Sequence, residues 1–225
     1  MSADTIDFYF DYISPNAYLA WTQLPRLAEK CGFTIEPCPV LFAGLLEAHG
    51  QLGPAEVPAK SLWMAKNNAR KAVRLGVPLN PPAFHPFNPL LALRVSSLPL
   101  AAAERVALID ALFQAVWVRG LHVSEPAVVE RIADELGLRG AALVAESARP
   151  ESKAKLRRQT DEAIALGVFG VPTMIVNNEL FWGYDDFEQL ELLLANNDPI
   201  DSAQWQQWSG RRPQPSAARR RFRPS

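Results

Sequence analysis

A chain of 225 residues, 48% of them apolar, is long enough for one large core or for one domain carrying an insertion. Its net charge of −1 gives no global field for nucleic acid or a membrane surface, and no stretch has the ~18 uncharged apolar residues of a membrane span. The two cysteines, Cys31 and Cys38, form no redox or zinc-binding motif and are expected as buried, unpaired thiols of a reduced, cytoplasmic protein.

The first predicted strand covers 5–10, where Ile6, Phe8 and Phe10 alternate with Asp7 and Tyr9, and no signal peptide is read ahead of it. A helix over 15–31 follows, with Ser14 as N-cap and Pro15 at its first position. Ser14 thus stands where a strand delivers a side chain onto a helix N-terminus. Such a terminus favours anions, a thiolate included; Ser-Pro at a helix start is equally an ordinary cap. Residues 33–41 form the second strand, placed at a sheet edge by Pro37 and Pro39. Strand, helix, strand implies a parallel pair.

Residues 44–60 are rich in Gly and Pro and read as a loop. A helix over 61–75 puts Leu62, Ala65, Ala69, Ala72 and Val73 on one side and leaves Lys66, Arg70, Lys71 and Arg74 to solvent. Five prolines interrupt 76–89. Helices follow from Leu90 to Leu98, over 101–118 (Val106, Ile109, Phe113 and Val116–Trp117 inward), over 124–136 with Ser124 as cap, and over 139–147 and 150–166. Strand character returns at 172–176. Asn177-Asn178 turns it back as a hairpin with 179–182, and Asp185–Asp186 opens a last helix over 187–195. The chain therefore divides into 1–43 plus 167–200, one α/β domain, and 44–166, a wholly helical insertion. Residues 201–225 form a basic tail with at most a last turn at Gln204–Trp208; disorder is expected over 209–225, which holds six arginines and no acid.

Two segments carry the chemistry: Ser14-Pro15 after the first strand, and GVFGVPT, 167–173, before the hairpin. A cis Val171–Pro172 bond facing the first helix would offer the Val171 backbone to a ligand. Most X-Pro bonds are trans, so the expectation rests on the strand order as well as on the dipeptide.

With DFYFDYISPNAYLA (7–20), GPAEVPAK (53–60), HPFNPLLALR (85–94), AVWVRG (115–120), GVFGVPT (167–173) and FWGYDDFEQLE (181–191) in this order, the sequence resembles 2-hydroxychromene-2-carboxylate isomerases, relatives of kappa-class glutathione transferases and DsbA-type oxidoreductases. The resemblance implies a thioredoxin-like fold with a large all-helical insertion, of the DsbA and kappa glutathione transferase type. It implies glutathione as cofactor, with Ser14 binding its thiolate as the catalytic group. The nucleophile then comes from glutathione, and Ser14 and Ala17 stand where redox relatives carry thiols.

By the same resemblance Val171, beside Pro172, holds the cysteinyl backbone of glutathione. Asp185 binds its γ-glutamyl ammonium, or serves as a helix cap, or both. Lys60 holds a carboxylate of glutathione or of substrate, where a lone lysine is otherwise simply solvated. Asn88 belongs to the substrate side, and Arg94 either joins it or ties helices together. Phe169, Trp182, Trp63 and Phe84 are candidates to wall a small aromatic substrate, or are plain core. Gln51, His122, Tyr184 and Asp186 depart from the family pattern and leave the native substrate open. The implied reaction interconverts a chromene carboxylate and trans-o-hydroxybenzylidenepyruvate by reversible thiolate addition, in a homodimer. A kappa-like transferase or peroxidase and a non-catalytic glutathione binder are the alternatives.

Overall fold

The computed structural model describes residues 4–210. Its centre is a four-stranded sheet in the order β2-β1-β3-β4, built from β1 (Thr5–Phe10), β2 (Thr34–Pro39), β3 (Thr173–Val176) and β4 (Glu179–Trp182). β1 runs parallel to β2 and antiparallel to β3, and β3 pairs antiparallel with β4. β2 takes the edge, where its prolines forfeit fewest ladder hydrogen bonds. Asn177 and Asn178 both adopt positive φ (51° and 67°), the geometry of a two-residue hairpin turn.

Both faces of the sheet are covered. Ile6, Phe8 and Phe10 belong to the main core with α1 (Pro15–Cys31), α5 (Ala102–Trp117) and α9 (Phe187–Leu194). Phe10 lies 5.3 Å from Phe113 and Tyr12 4.7 Å from it, ring to ring, so aromatic contacts fasten the end of β1 to α5. Tyr9 and Ile175 point to the opposite face, into a second cluster with Leu45, Ala163, Val168 and Val171. That face is closed by α2 (Phe42–His49) and α8 (Pro150–Ala165).

The sequence reading treats 44–60 as a loop; α2 and a 3₁₀ turn at Pro54–Glu56 occupy much of it instead. α2 has no local side-chain cap, and its first N–H is taken by Asp11 Oδ2 at 2.9 Å, a partner no local pattern reveals. α3 (Pro58–Leu75) starts three residues early, and its expected faces are met only in part: Ala72 is buried and Lys66, Arg70 and Arg74 are exposed. Leu62 and Val73 are 62% and 83% exposed, whereas Lys71, assigned to solvent, is buried. Between α3 and β3 the remaining helices are α4 (Leu90–Ser96), α5, α6 (Pro126–Glu135), α7 (Gly140–Ser147) and α8. Pro126 takes the first position of α6, so Glu125 and not Ser124 is its cap residue. Val106 is exposed, while Ile109, Phe113, Val116 and Trp117 are core as expected. Cys31 and Cys38 are unpaired but half-buried rather than buried.

Asp201 caps α10 (Ser202–Ser209) through bonds from Ala203 and Gln204 N–H, so the first part of the tail is a two-turn helix. The disorder expected over the arginine-rich part falls outside the described residues. Among the described residues no helix is long and apolar enough to cross a membrane.

Candidate functional site

The turn between β1 and α1 is held from several directions. Asp11 is buried and its carboxylate accepts the N–H of Ile13 (3.0 Å) and of Phe42 (2.9 Å). Its carbonyl accepts Ser14 N–H at 3.1 Å. Trp117 Nε1 donates to Tyr12 O (2.9 Å), and Tyr12 OH meets Ser96 Oγ at 2.6 Å. His85 Nε2 lies 2.9 Å from Ile13 O, a contact that requires the proton on that nitrogen. The Trp117, Ser96 and His85 side chains thus hold Tyr12 and Ile13, and the backbone N–H of Phe42 holds Asp11, so that three successive residues ahead of Ser14 are locked.

Ser14 is the N-cap of α1: its Oγ accepts Ala17 N–H at 3.1 Å. Its hydroxyl hydrogen points to Val171 O at 3.4 Å, long for an O–H···O bond and correspondingly weak. The Val171–Pro172 bond is cis. A donor at a helix N-terminus with so loose a partner is free to turn to an incoming anion. A thiolate there gains from the dipole and the hydroxyl together, which lowers its pKa.

Burial of Asp11 pushes its carboxyl up to about 7 against the two backbone N–H bonds that pull it down. The unfolded carboxyl ionises near 3.8, so between these values the folded state alone keeps the proton. Stability is then greatest at the acid side of that window and falls as pH rises through about 7. From about pH 6 to about pH 8 denaturant melts should lose about 1 kcal/mol, and Asp11→Asn should flatten that slope.

On the other side of the Ser14 turn, Lys71 reaches across from α3. Its ammonium donates to Asp185 Oδ2 at 2.7 Å and to Asn16 Oδ1, in the first turn of α1, at 3.2 Å. Lys71 is 6% exposed in its side chain and Asp185 69%. Asp185 sits in a 3₁₀ turn, Tyr184–Asp186, returned to the site by Gly183 N–H on Pro172 O at 2.8 Å. The cap reading of Asp185 is not met. The residue before α9 is Asp186, and its Oδ2 accepts Trp182 N–H at 2.7 Å instead.

Ser14 thus reaches Val171 directly, and Lys71 ties Asp185 to Asn16, two residues after Ser14 in the first turn of α1. Lys60 is exposed on the first turn of α3, eleven residues and about three turns (~16.5 Å) from Lys71. Asn88 is exposed, and its Oδ1 accepts Leu90 N–H at 3.0 Å, a turn-forming role. Of the four aromatic candidates, Phe169 and Trp182 touch, with ring centroids 5.2 Å apart. Phe84 stacks on His122 instead, and Trp63 is 59% exposed. A cavity of ≈ 240 Å³ opens between Tyr18, Thr22, Pro78, Asp110 and Gln114, and none of the expected site residues lines it.

A Cβ added at Gly170 would lie 2.6 Å from Trp182 Nε1, so Gly170 is what lets the indole lie over the 169–172 loop. Gly170→Ala should cost about 1 kcal/mol by overpacking, and the cost should vanish in a Trp182→Ala background, measured by thermal denaturation.

The model of the DSBA-like thioredoxin domain matches residues 5–195. The 2-hydroxychromene-2-carboxylate isomerase of Sphingobium xenophagum is 33% identical over 194 residues, 85% of this chain and 98% of the relative. The chain belongs to this isomerase family, within the DsbA-like thioredoxin fold. A solved structure of 2-hydroxychromene-2-carboxylate isomerase superposes with a TM-score of 0.79 at 30% identity, over 85% of this chain and 95% of that one. Glutathione S-transferase kappa 1 of Caenorhabditis elegans is 26% identical over 215 residues, 87% of this chain and 92% of the relative.

Against that family background, the sequence reading missed four residues. Asp11 carried a signal, since an acid two residues before a backbone N–H in DYISP is an Asx-turn pattern. Asn16 and Lys71 carried none, because their partners are distant in sequence. His85 stood inside a quoted motif but was given no role.

Proposed function

We propose that the chain is a glutathione-dependent isomerase acting on a chromene-type carboxylate. The observation that carries this reading is the weakly engaged Ser14 hydroxyl at the start of α1, 3.4 Å from the carbonyl of Val171 next to Pro172. Glutathione, when bound, supplies the thiolate that adds to and is expelled from the conjugated substrate, so no cysteine of the chain is needed.

The rest falls to the chain. Ser14 donates its hydroxyl to the sulfur and, with the α1 terminus, keeps it ionised. Val171 aligns the cysteinyl backbone. Asp185 takes the γ-glutamyl ammonium and Lys60 a carboxylate. Phe169 and Trp182 offer an aromatic wall on the Val171 side, and Asn88 borders the substrate end. The clamps on residues 11–13 fix the geometry, so that little reorganisation is left to the reaction. Assembly as a homodimer belongs to the same reading, and Leu62 and Trp63 on α3 are exposed apolar surface available for it.

The test is spectrophotometric interconversion of 2-hydroxychromene-2-carboxylate and its open-chain isomer with and without glutathione. Turnover that requires glutathione and leaves it unconsumed supports the reading. A stable glutathione conjugate, found by mass spectrometry without isomerisation, would place the chain with the transferases.

A further inference from the structure

Two side chains hold the carbonyls just ahead of Ser14, and they do so differently. Trp117 Nε1 donates to Tyr12 O from a side chain that is buried, and an indole is a donor only. His85 Nε2 donates to Ile13 O at 2.9 Å from an exposed position. A clamp needs one N–H. An imidazole brings a second nitrogen, and the bond to Ile13 O decides its state. With the proton on Nε2, Nδ1 carries a free lone pair. That nitrogen has no hydrogen-bond partner among the described residues. Trp117 and Phe87 pack around the ring, with centroids 5.6 and 6.3 Å away, so the imidazole is steadied by contacts as well as by its bond.

The other titratable groups at the turn are engaged. Both oxygens of Asp11 accept backbone N–H groups. Tyr12 OH is buried against Ser96 Oγ. Across the turn, Lys71 donates to Asp185 and Asn16. The Ser14 hydroxyl is a donor to an incoming anion and not a base. Reach is short enough for His85 to act beside it. Ile13 O and Ser14 Cα lie on one planar peptide, ~2.8 Å apart, which puts His85 Nε2 within about 6 Å of Ser14 Cα.

We propose that His85 is a catalytic residue, the acid–base group that carries the substrate's proton from one oxygen to the other. This rests on the isomerase reading, which leaves that proton without a carrier. A 2-hydroxychromene-2-carboxylate is a cyclic hemiketal; its open-chain isomer is a phenol and a ketone. Nδ1 takes the proton of the C2 hydroxyl as the ring C–O bond breaks and the ketone C=O forms. The phenolate oxygen released then takes that proton back from the imidazolium. No proton is gained or lost overall, and no further reactant is needed. The hydroxyl and the ring oxygen are attached to one carbon, so a single nitrogen can serve both. Nε2–H stays on Ile13 O throughout, and its bond strengthens while the ring is charged.

The experiment compares wild type with His85→Gln and His85→Ala in the isomerisation assay. The glutamine amide can keep a donor on Ile13 O but cannot take up a proton. In His85→Gln, kcat at saturating glutathione should fall about 100-fold or more. Its thermal melt and its calorimetric affinity for glutathione should stay at wild-type values. In His85→Ala, added imidazole should restore part of the lost rate, and pyrazole, of the same shape but far less basic, should not. An unchanged kcat in His85→Gln would overturn the proposal and leave His85 as a clamp. So would a loss of rate that follows a loss of stability or of glutathione affinity and is not rescued by imidazole. Wild type that binds glutathione but interconverts no isomers would overturn the isomerase reading, and the proton transfer with it.

Discussion

Replacing Ser14 with glycine is expected to lower glutathione-dependent isomerisation about 10- to 100-fold, the loss of one hydrogen bond to a charged group at ~1.5–3 kcal/mol. The fold should hardly notice. Glycine at an N-cap costs only a few tenths of a kcal/mol, whereas alanine costs about 1 kcal/mol. The two variants therefore separate capping from chemistry. If Ser14 acts on the sulfur, Ser14→Gly and Ser14→Ala should be equally slow but unequally stable. If Ser14 is only the cap that accepts Ala17 N–H, activity should follow stability and Ser14→Gly should stay close to wild type. Rates at saturating glutathione together with thermal melts decide between these.

The second large effect is expected at Asp185. Removing its carboxylate leaves the Lys71 ammonium buried with Asn16 as its one remaining hydrogen-bond acceptor among the described residues. A fully buried pair broken this way costs about 3–5 kcal/mol; with Asp185 itself 69% exposed, a loss of about 1–3 kcal/mol is the expectation for Asp185→Ala. Lys71→Met in the same chain should recover most of it, because an apolar side chain of similar length can fill the space between α1 and α3. Urea denaturation of the two single variants and the double variant gives the coupling directly. A cost for Asp185→Ala that persists unchanged in the Lys71→Met background would mean that the pair holds no energy and that Asp185 stabilises the chain by some other contact.

Local patterns made the outline of the site legible. Strand alternation ending at Phe10, followed by Ser14-Pro15, placed the start of α1 to the residue, and the Asn-Asn turn placed the β3–β4 hairpin. These features depend on neighbours in sequence. What escaped depends on partners far along the chain. α2 is capped by Asp11, thirty-one residues away, and packs Leu45 beneath a sheet face whose cover is set by α8. Lys71 looked like one of four solvated cations on an amphipathic helix. Its burial requires the turn at Asp185, which arrives 114 residues later. Leu62 and Val73 failed for the complementary reason: a helical stripe can be apolar and still face outward when the helix presents another side to the core. Asp185 and Asp186 were expected at the start of the last helix, but their different hydrogen-bond partners, Lys71 for Asp185 and Trp182 N–H for Asp186, follow from no local pattern.

The measurement that reaches the central claim most directly is the ultraviolet difference spectrum of glutathione bound to wild type and to Ser14→Gly, recorded at slightly acid pH where free glutathione is almost wholly protonated. A thiolate band is expected on wild type and is expected to be absent, or shifted to clearly higher pH, in Ser14→Gly. An equal band in both proteins would show that the α1 terminus ionises the thiol without the hydroxyl. No band on wild type despite bound glutathione would contradict thiolate chemistry at this site altogether.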